Sequence, residues 1–262
     1  MEFSIRLSAG IGVLNPDEVN TALKDWERWQ IRNIEDKKNW TYLGGDVAEI
    51  GLDYNLEVEL LFFFSPRLAA GVAGGYIFSD VSETETTLTV DKITGTFEGA
   101  KPTKMSAIPL ILSAYYFQPI TSSFRAYIRG GAGLLWGNYV EREATRRKEA
   151  DRYGYPLGFE ASARDAVYLL ALGLLYETEP GIQFFIEGSW KQAKLAGFTG
   201  EDQSGSTGSL FFFEEYDSSL ELWQGKYGIL DEKPEGANFR AAKEGEIDFS
   251  GLSVKLGIMI RF

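Results

Sequence analysis

The 262-residue chain carries 38 acidic against 26 basic residues, a formal net charge of −12, and a field of that sign opposes phosphate backbones, so nucleic acid is not an expected partner. It contains neither Cys nor His. Disulfide frameworks, thiolate and imidazole metal ligands, cysteine nucleophiles and the Ser-His triad are therefore all excluded. With 29 Gly, 13 Tyr, 18 Phe and 6 Trp the composition favours sheet over helix. No stretch approaches the roughly 18 apolar residues of a membrane-crossing helix, so a membrane protein with this sequence must be a closed sheet.

The chain opens Met1-Glu2-Phe3 directly into an alternating strand, with no basic or apolar leader ahead of it. A cytosolic protein would lack such a leader as well, but the strands that follow favour a mature exported protein that begins on a start Met, with no signal peptide in this sequence. Over residues 3 to 13, Phe3, Ile5, Leu7, Ala9, Ile11 and Val13 occupy one face, and Ser4, Arg6, Ser8, Gly10 and Gly12 the other. Globular strands average about 5 to 6 residues whereas a tilted membrane strand needs about 9 to 11, so the length favours a membrane.

The first long connection holds Asn15-Pro16-Asp17-Glu18, read as an N-cap, a Pro at the first helical position and acidic residues in the first turn. A helix is expected to run to about residue 30, with Val19, Leu23, Trp26 and Trp29 on one side against the barrel rim or the interfacial zone.

The second strand, 46 to 63, sets Ile50, Leu52, Tyr54, Leu56, Val58, Leu60 and Phe62 against Gly51, Asp53, Asn55, Glu57 and Glu59. A tight turn at 64 to 67 leads into the third, from Leu68 to Ser79. Further strands are expected at 105 to 117, 125 to 138, 166 to 177, 182 to 193 and 248 to 262, eight in all. Connections alternate between short (64 to 67, 118 to 124, 178 to 181) and long (14 to 45, 80 to 104, 139 to 165, 194 to 247), the habit of an outer-membrane barrel.

The expected fold is thus all-β: one domain over 1 to 262, an eight-stranded antiparallel transmembrane β-barrel with long extracellular loops and a short helix in the first of them. A soluble barrel would put its apolar face inside. Here Arg6, Asp53, Glu57, Glu59, Arg129, Glu187, Lys191, Lys255 and Arg261 share the enclosed face, in an interior just wide enough for side chains.

In the third long loop, Glu141, Arg142, Glu143, Arg146, Arg147, Lys148, Glu149, Asp151 and Arg152 form a mixed-charge run, usually solvated surface. The alternative is contact between its basic members and lipopolysaccharide phosphates. In the fourth, Leu210-Phe211-Phe212-Phe213 is too apolar for water, so it packs over the mouth or meets a partner.

The segments 107 to 117 (AIPLILSAYYF) and 127 to 133 (YIRGGAG), together with the last strand from Phe249 to Phe262, resemble strands of the outer membrane protein W family. The likeness covers none of the long loops, which exceed what the family leads one to expect, and the interior is unusually charged. The resemblance implies passage of small hydrophobic molecules through a narrow barrel, sometimes by a lateral opening, but no residue matches a transport step. Barrels folded by the barrel-assembly machinery commonly end in an aromatic residue after alternating apolar positions, and Leu256, Ile258, Ile260 and Phe262 resemble that signal, a strand edge offered for augmentation.

Asp53, Glu57 and Glu59 admit an acid–base reading, since neighbouring carboxylates push their pKa values apart. The favoured reading is that they neutralise Arg6, Arg129, Lys255 and Arg261, because an unpaired charge in a narrow interior is costly. No catalytic, cofactor or metal site is expected. The expected function is a non-enzymatic outer-membrane barrel acting as a narrow conduit for small or hydrophobic molecules, in contact with outer-membrane lipids and lipopolysaccharide. The alternative is a surface interaction protein, binding an extracellular partner through residues 200 to 240 of its acidic loops.

Overall fold

A computed structural model of the chain describes residues 2–14, 16–82, 84–92, 95–147, 154–179 and 181–262. Eight long strands form a closed ring: β1 (Glu2–Leu14), β2 (Leu52–Ser65), β3 (Leu68–Val81), β4 (Thr103–Pro119), β5 (Phe124–Arg147), β6 (Gly154–Glu179), β7 (Ile182–Gln192) and β8 (Gly251–Arg261). Each pairs antiparallel with the next, and β8 pairs back onto β1 in an unbroken register from Ser4 opposite Arg261 to Leu14 opposite Gly251. Closure leaves no unpaired edge.

The alternation in the sequence decides which face is outside. Leu112, Leu172 and Leu256 are 63 to 64% exposed, while Arg129 and Glu187 are fully enclosed. An exterior of Leu, Val, Ile and aromatic residues around a charged interior is stable only where the exterior solvent is hydrocarbon. The chain is a transmembrane β-barrel, and among the described residues no helix is long and apolar enough to cross a membrane.

At one end the turns are tight. Ser65 Oγ accepts the N–H groups of Arg67 and Leu68 at 3.2 and 3.1 Å, closing the β2–β3 connection. Gly181, with φ +90°, makes the turn into β7, a conformation that strains any residue with a Cβ.

The other end departs from the expected loops. The 139 to 165 connection is largely strand: β5 and β6 run 24 and 26 residues and extend beyond the apolar belt as a paired hairpin. Lys148, Glu149, Asp151 and Arg152 lie outside the described residues. Of the charge run that is described, Arg146 pairs with Glu98 (2.5 Å) and Glu141 with Lys101 (3.0 Å), so these side chains are bound within the protein.

Strands from the other loops hook onto this hairpin. Trp40–Gly45, Leu88–Lys92 and Gly95–Ala100 continue the sheet from β5, and Thr199–Asp202, Thr207–Asp217 and Leu222–Leu230 continue it from β6. The fourth loop is therefore a small sheet. Its Leu210 and Phe212 are buried, which answers the question of what covers that apolar run: it packs over the barrel mouth.

The helix α1 spans Asp17–Glu35, about a turn longer than expected at its C-terminal end. Pro16, one position outside the helix, is the N-cap and makes no side-chain cap, and Asn15 is not among the described residues. Val19, Leu23 and Trp26 are buried against the loop sheet and the mouth, whereas Trp29 stays half-buried. Ile50 also departs from expectation. It is buried rather than lipid-facing, because the Asn20 side chain binds both its backbone groups, at 2.9 and 2.8 Å, and β2 begins only at Leu52.

Candidate functional site

The interior is built in layers. At the tight-turn end, Leu61, Phe63, Phe117, Phe185 and Met259 form an apolar plug, on positions whose parity turns them inward. Above it, six charged side chains from β1, β2, β5, β7 and β8 converge. Arg6 donates to Glu59 Oε2 at 2.9 Å, to Glu187 Oε2 at 3.0 Å and to the Tyr127 hydroxyl at 2.9 Å, and stacks on the Phe185 ring at 4.0 Å. Arg129 donates to Glu57 Oε1 at 2.7 Å and to Ser113 Oγ at 3.0 Å, with Glu187 Oε1 at 3.4 Å. Its Nη2 stands 3.3 Å from Glu59 Oε1 without hydrogen-bond alignment. Lys255 donates to Glu57 Oε2 at 3.0 Å. Three cations thus face three carboxylates, and the layer is neutral.

Asp53 and Lys191 lie one layer further out and pair with each other at 3.3 Å. Arg261 does not join the interior charges: it pairs with Glu2 beside the chain termini and stacks on Phe63 at 5.3 Å. Its position at the end of β8 puts it at the rim, where a long side chain reaches water. The sequence reading missed Tyr115, Tyr127 and Ser113. Tyr115 donates to Glu59 Oε2 at 2.5 Å and Tyr127 to Glu187 Oε2 at 3.0 Å. Strand parity carries the signal, because all three share the inward phase of Arg129. Leu256, Ile258, Ile260 and Phe262 face outward, and the Phe262 ring stacks on Phe3 at 5.0 Å.

Beyond the charged layers a second apolar cluster closes the mouth. It joins Ile77, Ile111 and Leu169 of the barrel to Trp26 of α1 and to Leu210 and Tyr227 of the loop sheet. Between the charges and this cluster, the described residues leave a void of only about 20 Å³, lined by Asn55, Pro109, Lys191 and Lys255 among others.

Outside the seal lies a cavity of about 550 Å³, walled by α1, the β5–β6 extension and the loop sheet. The half-buried Trp29, Phe159 and Tyr216 and the buried Trp26 and Tyr227 are among the residues that line it. Trp29 Nε1 donates to Asp217 Oδ2 at 2.8 Å and Gln30 Nε2 to Glu143 Oε1 at 3.2 Å. Hydrogen bonds from Ser219, and then from Trp29, hold the Asp217 carboxyl below the ordinary carboxylate range. Burial, reinforced by Glu18, keeps the Tyr227 phenol well above its ordinary range and neutral.

The ring of eight strands, the apolar exterior and the ion-paired interior define an integral membrane β-barrel with a covered mouth. No protein-family model and no curated protein matches the chain. Among solved structures it is similar to the outer membrane protein OprG of Pseudomonas aeruginosa, at 12% identity and a TM-score of 0.44, over 100% of this chain and 95% of that one. It is also similar to the outer membrane protease OmpT of Escherichia coli, at 9% identity and a TM-score of 0.26, over 100% of this chain and 96% of that one.

Proposed function

We propose that the chain is an integral protein of the bacterial outer membrane, embedded among its lipids, without enzymatic activity, whose extracellular end is a binding platform. The observation that carries this reading is the division of the molecule at its mouth: the interior is filled by two apolar plugs and a neutral charge layer, while the outer end walls a cavity open to the medium. Filled interiors favour support over passage. The non-enzymatic reading rests on the absence of His and Cys and on the pairing of Glu57, Glu59 and Glu187 with cations inside a filled barrel. Purified protein in planar bilayers should give no single-channel steps; regular steps from the intact chain would overturn the platform reading in favour of a conduit.

One observation favours the conduit as a second reading. The ladder between β3 and β4 runs to Gly74 opposite Leu110 and resumes only at Ile77 opposite Ala107, around Pro109, which has no N–H to donate. That interruption lies beside the small interior void and offers a lateral exit. The chain has no Cys of its own, so Tyr76→Cys combined with Ile108→Cys would bridge the interruption cleanly. If hydrophobic solutes leave there, oxidation should abolish their uptake into proteoliposomes and reduction should restore it.

A further inference from the structure

We propose that the extracellular cavity binds an organic ammonium ion, held over the faces of Trp29, Tyr216 and Phe159 and facing the carboxylates of Glu143 and Asp217. The inference rests on the platform reading and adds to it a class of ligand. At about 550 Å³ the cavity falls in the range of small-molecule sites, roughly 300–1,000 Å³.

Its charges decide the sign of the ligand. Lys101 pairs with Glu141 at 3.0 Å and Lys226 pairs with Glu215, so both cations of the wall are already compensated. Glu143 and Asp217 have only neutral donors, Gln30 for the first and Trp29, Ser219 and the Leu220 backbone N–H for the second, and no cation pairs with either among the described residues. The wall therefore carries two uncompensated negative charges within a chain of net charge −12, which disfavours phosphates and carboxylates.

The aromatic residues decide the rest. A ring face is the negative end of its quadrupole, and a wall lined by three aromatic residues beside carboxylates suits a cation that is weakly hydrated and partly apolar, as an alkylammonium is. A metal ion would demand several converging oxygens, and no such cluster occurs among the described residues. A purely apolar ligand would have to desolvate Glu143 and Asp217 without compensation.

Isothermal titration of the full chain in detergent micelles with choline, and with its uncharged isostere 3,3-dimethylbutan-1-ol, tests the proposal. Saturable choline binding is expected, at least tenfold tighter than that of the neutral isostere and weakened by added salt. Trp29→Leu and Glu143→Gln should each weaken choline at least fivefold while the barrel keeps its heat-dependent gel mobility. Equal binding of the two compounds, or choline binding unaffected by both substitutions, overturns the ammonium assignment and leaves the platform standing. If neither compound binds and the bilayers are silent, the ammonium assignment alone falls; if neither binds and channel steps appear, both readings fall.

Discussion

Arg129 is fully buried and faces Glu57, Glu59 and Glu187, so its removal leaves three buried carboxylates with only two cations of their layer. Breaking a buried ion pair from one side costs about 3–5 kcal/mol, because the surviving charge loses its compensation. Arg129→Met is accordingly expected to lower unfolding stability by about that amount, read as a shifted urea midpoint in micelles. Gly173 acts through space rather than charge: a Cβ there would run into the Tyr127 ring, which supports both Arg6 and Glu187. Gly173→Val should therefore destabilise the same layer although it removes no charge. Asp217 gives a residue-scale dependence on pH. Its folded-state pKa is depressed, so the hydrogen bond to Trp29 is fully present above the unfolded value of about 3.9 and is lost as pH falls through the lower folded value. The difference in tryptophan emission between the native chain and Trp29→Phe should change in that acidic window, and Asp217→Asn should flatten it.

The helix α1 and the loop sheet stabilise each other because neither buries its apolar face alone. Trp26, Leu23 and Val19 sit on one side of α1, at helical spacing, and meet Leu210, Phe212 and Tyr227 from a segment some 190 residues later. Large-to-small changes at such aromatic positions cost about 3–5 kcal/mol, here charged against the cap alone. Trp26→Ala should leave the barrel's gel mobility intact while limited proteolysis cuts the 194 to 247 segment markedly faster. Deleting 200 to 240 to test partner binding would strip the cover from Trp26 and Leu23, so single substitutions on the cavity wall are the cleaner probe. The apolar stripe of α1 was legible from spacing alone, but its partner was not. Leu210 to Phe213 carry no alternation to announce an inward and an outward face, because strands buried on both sides do not alternate.

At the scale of the whole molecule, the outward belt requires that the protein partition with detergent or lipid and precipitate when both are removed. The same belt makes folding depend on closure, since β1 and β8 would otherwise expose unpaired backbone to hydrocarbon. Phe262 sits at that seam, its N–H donating to Phe3 O at 2.9 Å. If residues 256 to 262 act as the assembly signal, deleting Phe262 should lower the folded yield in cells more than it lowers refolding of the purified chain in micelles.

The count of eight barrel strands and the facing of most of their positions were legible in the sequence, because an inside–outside alternation sustained over ten residues has one solution when the outer solvent is hydrocarbon; Ile50, held by Asn20, is an exception. The inward placement of Arg6, Glu57, Glu59, Arg129, Glu187 and Lys255 follows from the same parity. Which cation meets which carboxylate does not, since partners such as Arg6 and Glu187 stand 181 residues apart and their heights depend on the stagger of the closed ring. Arg261 shows the limit, for it shares the inward parity but ends at the rim, where Glu2 is the nearer partner. The helix of the first loop was expected from its residues, but that the other loops form a sheet, that sheet and helix pack into one lid, and that a cavity lies above it emerge only in the folded molecule. Those contacts join segments with no common periodicity, and they exist only once the barrel has brought its long connections to one end.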